Sequence, residues 1–283
     1  MARLRTYFAL LIISLGLFVP GLSDASIIIA DTVKITDVTP VHFSVIWATS
    51  EPATCSLDVF LDPDGNIPYT GASVASDSAE HPPAENMGVM KVKVMGLKPS
   101  TSYFVRIRSV SKNDSSVHLY PINPPFIEVK TEEFSYVVRN DVFALQISTD
   151  EGKSAQGALV IAELDQASHP VTGWAGNGVP DGWAAIDMNN FYDKNTHSNL
   201  ELPVEGGESI TLTLFCGFLG AVEVKDTVPA ETGRIQAGSV VAALPGSVGG
   251  GDDSSSSTSS ESSGGGGGGA CFIATALHDL FGL

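Results

Sequence analysis

Between residues 30 and 133 apolar side chains recur at every second position, in runs too short for helices and separated by turn residues. In residues 42–48, Phe43, Val45 and Trp47 share one face; in residues 54–61 the matching set is Cys55, Leu57, Val59 and Leu61. Met90, Val92 and Val94 form a third stripe, and Tyr103, Val105 and Ile107 a fourth, with Arg106 and Arg108 facing out. Ile127 and Val129 close the series. Glu51-Pro52, the run from Asp62 to Asn66, His81-Pro82-Pro83 and Lys112-Asn113-Asp114 fall between the stripes as turns. A strand with one apolar face must bury it against another sheet, so this stretch is expected to be a β-sandwich.

Residues 134–245 repeat the pattern. Phe143, Leu145 and Ile147 alternate, as do Val160, Ala162 and Leu164, and Ile210, Leu212, Leu214 and Cys216 fall on one side with Thr211 and Thr213 on the other. A second β-sandwich is expected, joined to the first by almost no linker around residues 131–135. The fold class is therefore all-β, with two consecutive sandwiches over 26–133 and 134–245.

The N-terminus reads as an export signal. Arg3 and Arg5 precede an apolar run from Tyr7 to Val19, followed by Pro20-Gly21 and the small residues of Ser23-Asp24-Ala25. Residues 1–25 are expected to be a signal peptide cut between Ala25 and Ser26. The run is too short to cross the roughly 30 Å hydrocarbon core comfortably, and no later run reaches spanning length. The mature chain is thus expected to be secreted or at the cell surface, without a transmembrane segment. With 32 Asp+Glu against 15 Lys+Arg, the chain carries a formal charge of −17, which repels phosphate backbones and argues against nucleic acid as a partner.

In the first stretch, Trp47 ends an early strand, and Leu97, Pro99, Thr101 and Tyr103 follow the spacing Leu-x-Pro-x-Thr-x-Tyr. This pattern resembles the fibronectin type III family over about a third of the chain. The resemblance implies a sandwich with a spacer or binding role, in which Tyr103 buries its ring and returns its hydroxyl to nearby backbone. It implies no catalytic residue.

The least regular stretch is residues 167–193, where Trp174 and Trp183 flank a glycine-rich run. Exposed, the two tryptophans would form a ligand platform for a sugar; packed inward, they would flank a simple turn between strands, which is the simpler reading. Asn177, Asp181, Asp187 and Asn189 offer oxygens for calcium, and residues 62–66 invite the same thought. Calcium takes six to eight oxygens, however, and neither spacing completes an EF-hand-like loop, so no cofactor or metal is expected.

Catalytic patterns fail one by one. Gly152-Lys153-Ser154 resembles the end of a phosphate-binding loop, but Ile147 stands where its first glycine belongs. There is no HExxH pair and no GxSxG elbow. The six histidines, His42, His81, His118, His169, His197 and His278, show no metal-ligand spacing. A non-enzyme is expected, although a His and a carboxylate brought together from distant positions would make an unrecognised hydrolase. Cys55 and Cys216 continue core-facing stripes and read as buried thiols.

Residues 246–269 are a Gly/Ser-rich linker unable to bury apolar area, expected to be disordered. Cys271-Phe272-Ile273-Ala274-Thr275-Ala276 then opens a hydrophobic tail over 270–283. A glycine tract followed by this hexapeptide resembles the CFI-box C-terminal segment of bacterial exported proteins, here truncated after Ala276. The resemblance implies a sorting or attachment signal, with Cys271 as the candidate modification site. The function expected from the whole is adhesion, matrix structure or ligand presentation, with a protein or polysaccharide partner at the cell surface. The alternative is a carbohydrate-binding accessory module that uses Trp174 and Trp183.

Overall fold

The computed structural model of the chain describes residues 26–135, 142–149, 155–176, 183–201, 209–227 and 235–242. Eight strands build the first unit: β1 (Ile28–Thr36), β2 (His42–Thr49), β3 (Ala53–Phe60), β4 (Ser73–Ser76), β5 (Val89–Met95), β6 (Ser102–Ser111), β7 (Val117–Tyr120) and β8 (Ile127–Lys130). One short helix, α1 (Pro82–Asn86), precedes β5. The strands form two sheets, in the orders β1-β2-β5-β4 and β3-β6-β7. This is the strand order of a constant-type immunoglobulin sandwich. β7 pairs with residues 107–110 of β6 and β8 with residues 102–105, so the two act as one edge strand broken in the middle. Pro121, Pro124 and Pro125 lie in the break, where proline removes ladder donors.

The predicted stripes meet between these sheets except at Leu61, which lies past the end of β3 and is exposed. Phe43, Val45, Trp47, Cys55, Leu57, Val59, Met90, Val92, Val94, Tyr103, Val105, Ile107 and Val129 belong to one buried cluster. Trp47 satisfies its indole by donating across the core to Ser109 Oγ at 2.9 Å. The Tyr103 ring is buried and its hydroxyl accepts from the Lys98 N–H at 2.9 Å, closing the tyrosine corner. Arg106 faces out as expected, pairs with Asp58 at 2.7 Å and lies over the rings of Phe60 and Phe126.

The second unit holds β9 (Val142–Thr149), β10 (Leu159–Leu164), β11 (Val171–Trp174), β12 (Trp183–Asp187), β13 (Ser209–Phe215), β14 (Ala221–Thr227) and β15 (Ile235–Ala242). Its sheets run β11-β10-β13-β14 and β12-β9-β15, with β15 parallel to β9 and the other pairs antiparallel. Between them Phe143, Ile147, Val160, Ala162, Leu164, Ile210, Leu212, Leu214 and Cys216 share a core with Ala184 and Ile186. The architecture is all-β, as expected.

The sandwiches stack face to face. The outer side of β1-β2-β5-β4 lies against the outer side of β11-β10-β13-β14. A third buried cluster fills the space: Ile46, Ala48, Ala84 and Val89 from the first unit, Leu159, Ile161, Trp174 and Phe215 from the second. The alternation in residues 42–48 predicts a half-buried strand, but β2 is buried on both faces, because the second unit covers the side that solvent would otherwise wet. Four sheets thus enclose three apolar layers. Gly217 shows how close the two backbones come: its φ is +63°, and a Cβ there would lie 2.1 Å from the Met87 carbonyl.

Candidate functional site

Two buried carboxylates of the first unit hold the junction. Asp37 follows β1 and is buried against β11. Its carboxylate accepts from the Thr172 N–H at 2.8 Å and the Thr172 hydroxyl at 2.5 Å, and its own N–H donates to the Pro170 carbonyl at 2.8 Å. Lys91, equally buried, brings its Nζ within 3.2 Å of Asp37 and 3.4 Å of Asp77. Burial works against the Asp37 anion, but the Lys91 ammonium and the Thr172 donors outweigh it and hold the carboxyl below its ordinary range.

Glu132 is the second. Only 2% exposed, it sits just past β8, where the chain leaves the first sandwich. Ser168 Oγ donates to Oε1 at 2.5 Å, His169 Nδ1 lies 3.4 Å from Oε1, and His197 Nδ1 lies 3.0 Å from Oε2. Burial would raise its carboxyl, yet the hydrogen bonds from His169, Ser168 and His197 prevail and lower it. Read singly, His169 and His197 look like surface residues; the fold brings both to one carboxylate. No local spacing announces this, since the three lie on three separate segments.

The cluster is not a nucleophile relay. A serine hydrolase needs the base to face serine through one ring nitrogen and the carboxylate through the other. Here the same nitrogen of His169 faces both Ser168 Oγ, at 3.2 Å, and Glu132. The serine proton is already committed to the carboxylate. Among the described residues no group of three His, Cys, Asp or Glu side chains is placed to hold a metal ion.

The loop that carries His197 also lines an open groove of about 420 Å³. The connection out of the first sandwich contributes Ser135 and the turn after β10 contributes Gln166. The loop after β12 contributes Asp193, Thr196, Ser198, Asn199, Leu200 and Glu201. This loop is tightly bound to itself and its neighbours. The Asp193 carboxylate accepts from the Asn195 and Thr196 N–H groups, both at 2.8 Å, which lowers its carboxyl. Ser135 Oγ accepts from the Asn199 N–H at 2.9 Å, and Asn199 Nδ2 donates to the Asn189 carbonyl at 2.5 Å. Sequence reasoning missed the groove; the polar run from Asp193 to Asn199 is its only local trace.

Trp174 and Trp183 do not lie exposed side by side, so the alternative reading of a ligand platform has no surface here. Trp174 is 7% exposed and lies in the layer between the sandwiches, its ring against His81 of the first unit. It does pack inward, as the simpler reading holds, but into the junction rather than into its own sandwich. Trp183 is half-buried at the start of β12, in the other sheet of the second unit. For calcium, the Asp187 carboxylate accepts from Asn189, through the backbone N–H and Nδ2, both at 3.0 Å. Both Asp62 oxygens likewise accept from the N–H groups of Asn66 and Ile67 in their own loop. Cys55 and Cys216 are buried thiols in separate cores, with no disulfide between them, and burial pushes the Cys55 thiol up to about 11. Ser26 is exposed at the start of the described residues. Ala25, Gly152–Ser154, Asn177, Asp181 and Cys271 lie outside them. Among the described residues no helix is long and apolar enough to cross a membrane.

No family model matches the chain, and no curated protein does. Solved structures do resemble it weakly. One is a chimeric titin Z1Z2 functionalized with a KLER exogenous peptide from decorin, at 8% identity and a TM-score of 0.20, with 72% of this chain and 94% of that one covered. Another is the Bacillus anthracis TIE protein, at 10% identity and 0.20, with 72% and 39% covered. Titin domains z1z2 in complex with telethonin match at 8% and 0.20, with 70% and 93% covered. Overlaps this slight carry no argument about function. The immunoglobulin-like, all-β character of the chain stands on its own strand order.

Proposed function

We propose that this protein is a non-catalytic module of a secreted or cell-surface bacterial protein, serving adhesion, matrix structure or ligand presentation. The observation that carries the reading is the face-to-face stack: an apolar layer and the Asp37–Lys91–Thr172 contacts join the two sandwiches into one stiff block. A block of this kind fixes its loops relative to one another, as a spacer or presenting surface requires. In its finer form the proposal makes the first sandwich a fibronectin type III-like domain, with Trp47 and the Tyr103 corner in support. Residues 270–283 act as a CFI-box-type sorting or attachment signal, reached through the Gly/Ser linker and modified at Cys271.

Intact mass of the mature protein from its native source, with cell fractionation alongside, tests the reading. A chain that begins at Ser26 and travels with the cell surface, processed beyond the glycine tract or carrying an adduct on Cys271, is the expected result. A cytosolic chain that retains residues 1–25 overturns the export reading. An unmodified chain from Ser26 to Leu283 in the medium overturns the attachment role of the tail.

A further inference from the structure

The face of β1-β2-β5-β4 that meets the second sandwich is apolar at one end and polar at the other. Ala48, Ile46, Ser44 and His42 follow one another along it on β2, beside Val89, Lys91 and Lys93 of β5. The layer that covers this face draws on fewer buried side chains than either inner core. It also holds two polar atoms that are buried without a hydrogen-bond partner, Ser44 Oγ on β2 and Trp174 Nε1 opposite. Each works against keeping the layer dry.

Three carboxylates carry ion pairs or side-chain hydrogen bonds across this junction. Glu163 of β10 pairs with Lys34 of β1 at 2.7 Å. Asp37 takes both Thr172 donors and faces Lys91, which Asp77 also faces. Glu132 takes Ser168, His169 and His197, with Tyr192 nearby. Acid removes the charge from every one of them. It also adds charge: His42 faces Lys93, Lys91, Asp37 and Asp187, and His81 faces Asp77, Glu80 and Lys91. Burial holds both rings below the ordinary histidine range, so neither is charged at neutral pH. In acid, His42, His81, Lys91 and Lys93 thus become four cations turned to carboxyls that have lost their charge. Lys91, with its side chain only 9% exposed, is then a buried ammonium without compensation, a state relieved by letting water in. The two inner cores hold no carboxylate or histidine, so the same protons leave their packing alone.

We propose that acid parts the two sandwiches while each stays folded, so that the stiff block becomes two units joined at the connection past Glu132. The junction is a two-state element, closed while Asp37, Glu132 and Glu163 are ionised and open once they are not. This goes beyond the presentation reading and does not rest on it: the opening concerns the junction alone, and fractionation and scattering have separate readouts.

The test titrates the full chain from Ser26 between about pH 7 and about pH 2.5, reading the radius of gyration by small-angle X-ray scattering and amide protection by hydrogen exchange. The expected result is a rise in radius, from one compact body to two joined ones, at a pH where β6 and β13 keep their protection. Neutralising the sample should reverse it. The double variant Asp37→Asn/Glu132→Gln keeps hydrogen-bond acceptors but removes both charges, and should open about one pH unit higher or more. His42→Gln, which gains no proton, should open at a lower pH than the parent, and it keeps the test decisive should the double variant fail to fold. A radius that holds down to about pH 2.5 overturns the inference, as does protection of β6 and β13 that is lost together with compactness, the mark of a molten or unfolded chain. So does either variant, once folded, opening at the parent's pH.

Discussion

The indole of Trp174 and the imidazole of His81, one from each sandwich, lie with ring centroids 4.5 Å apart and planes tilted by 31°. The tryptophan that looked available for a ligand is spent on the neighbouring unit. Its Nε1 is buried without an acceptor, so the apolar contact is favourable enough to outweigh an unmade hydrogen bond of about 1–3 kcal/mol.

Trp174→Ala should therefore cost about 3–5 kcal/mol, the range for removing a buried tryptophan. Trp174→Phe should cost much less, since it keeps a ring and deletes the orphan N–H. Urea unfolding of both variants checks this. A Trp174→Ala midpoint equal to the parent's would sink the docking argument.

Gly217→Ala should loosen the same junction from its backbone side. The Phe218 N–H donates to the Met87 carbonyl at 3.1 Å, and a methyl group on Gly217 would collide with that same carbonyl at a positive φ. A loss above about 1 kcal/mol is expected. Limited proteolysis should then separate the sandwiches, which remain resistant in the parent.

Tyr103→Phe keeps the core ring but leaves the Lys98 N–H without its acceptor. The expected cost is about 1–2 kcal/mol, read as a lower melting temperature with the circular dichroism spectrum unchanged. A melting temperature equal to the parent's would mean that the corner contributes packing alone.

Acid should destabilise the protein in two stages. Burial, with Lys93 next in effect, holds His42 down at about 4, against about 6.5 in the unfolded chain. The unfolded state then binds the extra proton first, so stability falls as pH drops from about 6.5 to about 4. His81, lowered chiefly by burial, acts in the same direction. Below that window the lowered carboxyls of Glu132 and Asp37 are protonated in turn, and the stability they contribute is lost as pH passes down through their folded values. Melting temperature against pH, for the parent and His42→Gln, measures this. The variant should show a shallower first stage and an unchanged second. Identical profiles would remove His42 from the account.

The stripes of each sandwich were legible because a strand's side-chain period is local: Phe43, Val45 and Trp47 need only their own spacing to declare a buried face. What covers Ile46 and Ala48 was not legible, because Leu159 and Ile161 lie more than a hundred positions away. A hint was present in the unbroken apolar run from Val45 to Ala48, the mark of a strand buried on both faces. Trp174 shows the same limit: its apolar neighbourhood says that it is buried, not in which layer. Glu132, His169 and His197 form no local pattern at all. Three chain segments meet there only after two sandwiches have formed and stacked, so pairwise spacing had nothing to report.

The stacked arrangement also sets an order of events during synthesis. The first sandwich is complete at Lys130, yet Leu159, Ile161, Trp174 and Phe215, which cover Ile46, Ala48 and Val89, emerge later. At about 5–20 residues per second, the gap to Phe215 lasts on the order of ten seconds. For that time the nascent chain carries a folded unit with a bare apolar flank. A ribosome-stalled chain that has released residues up to about 140 should bind a hydrophobic dye, and one that has released the whole second sandwich should not. The contact that makes the finished protein stiff is thus also where the unfinished one is most open to mispairing with a second copy of itself.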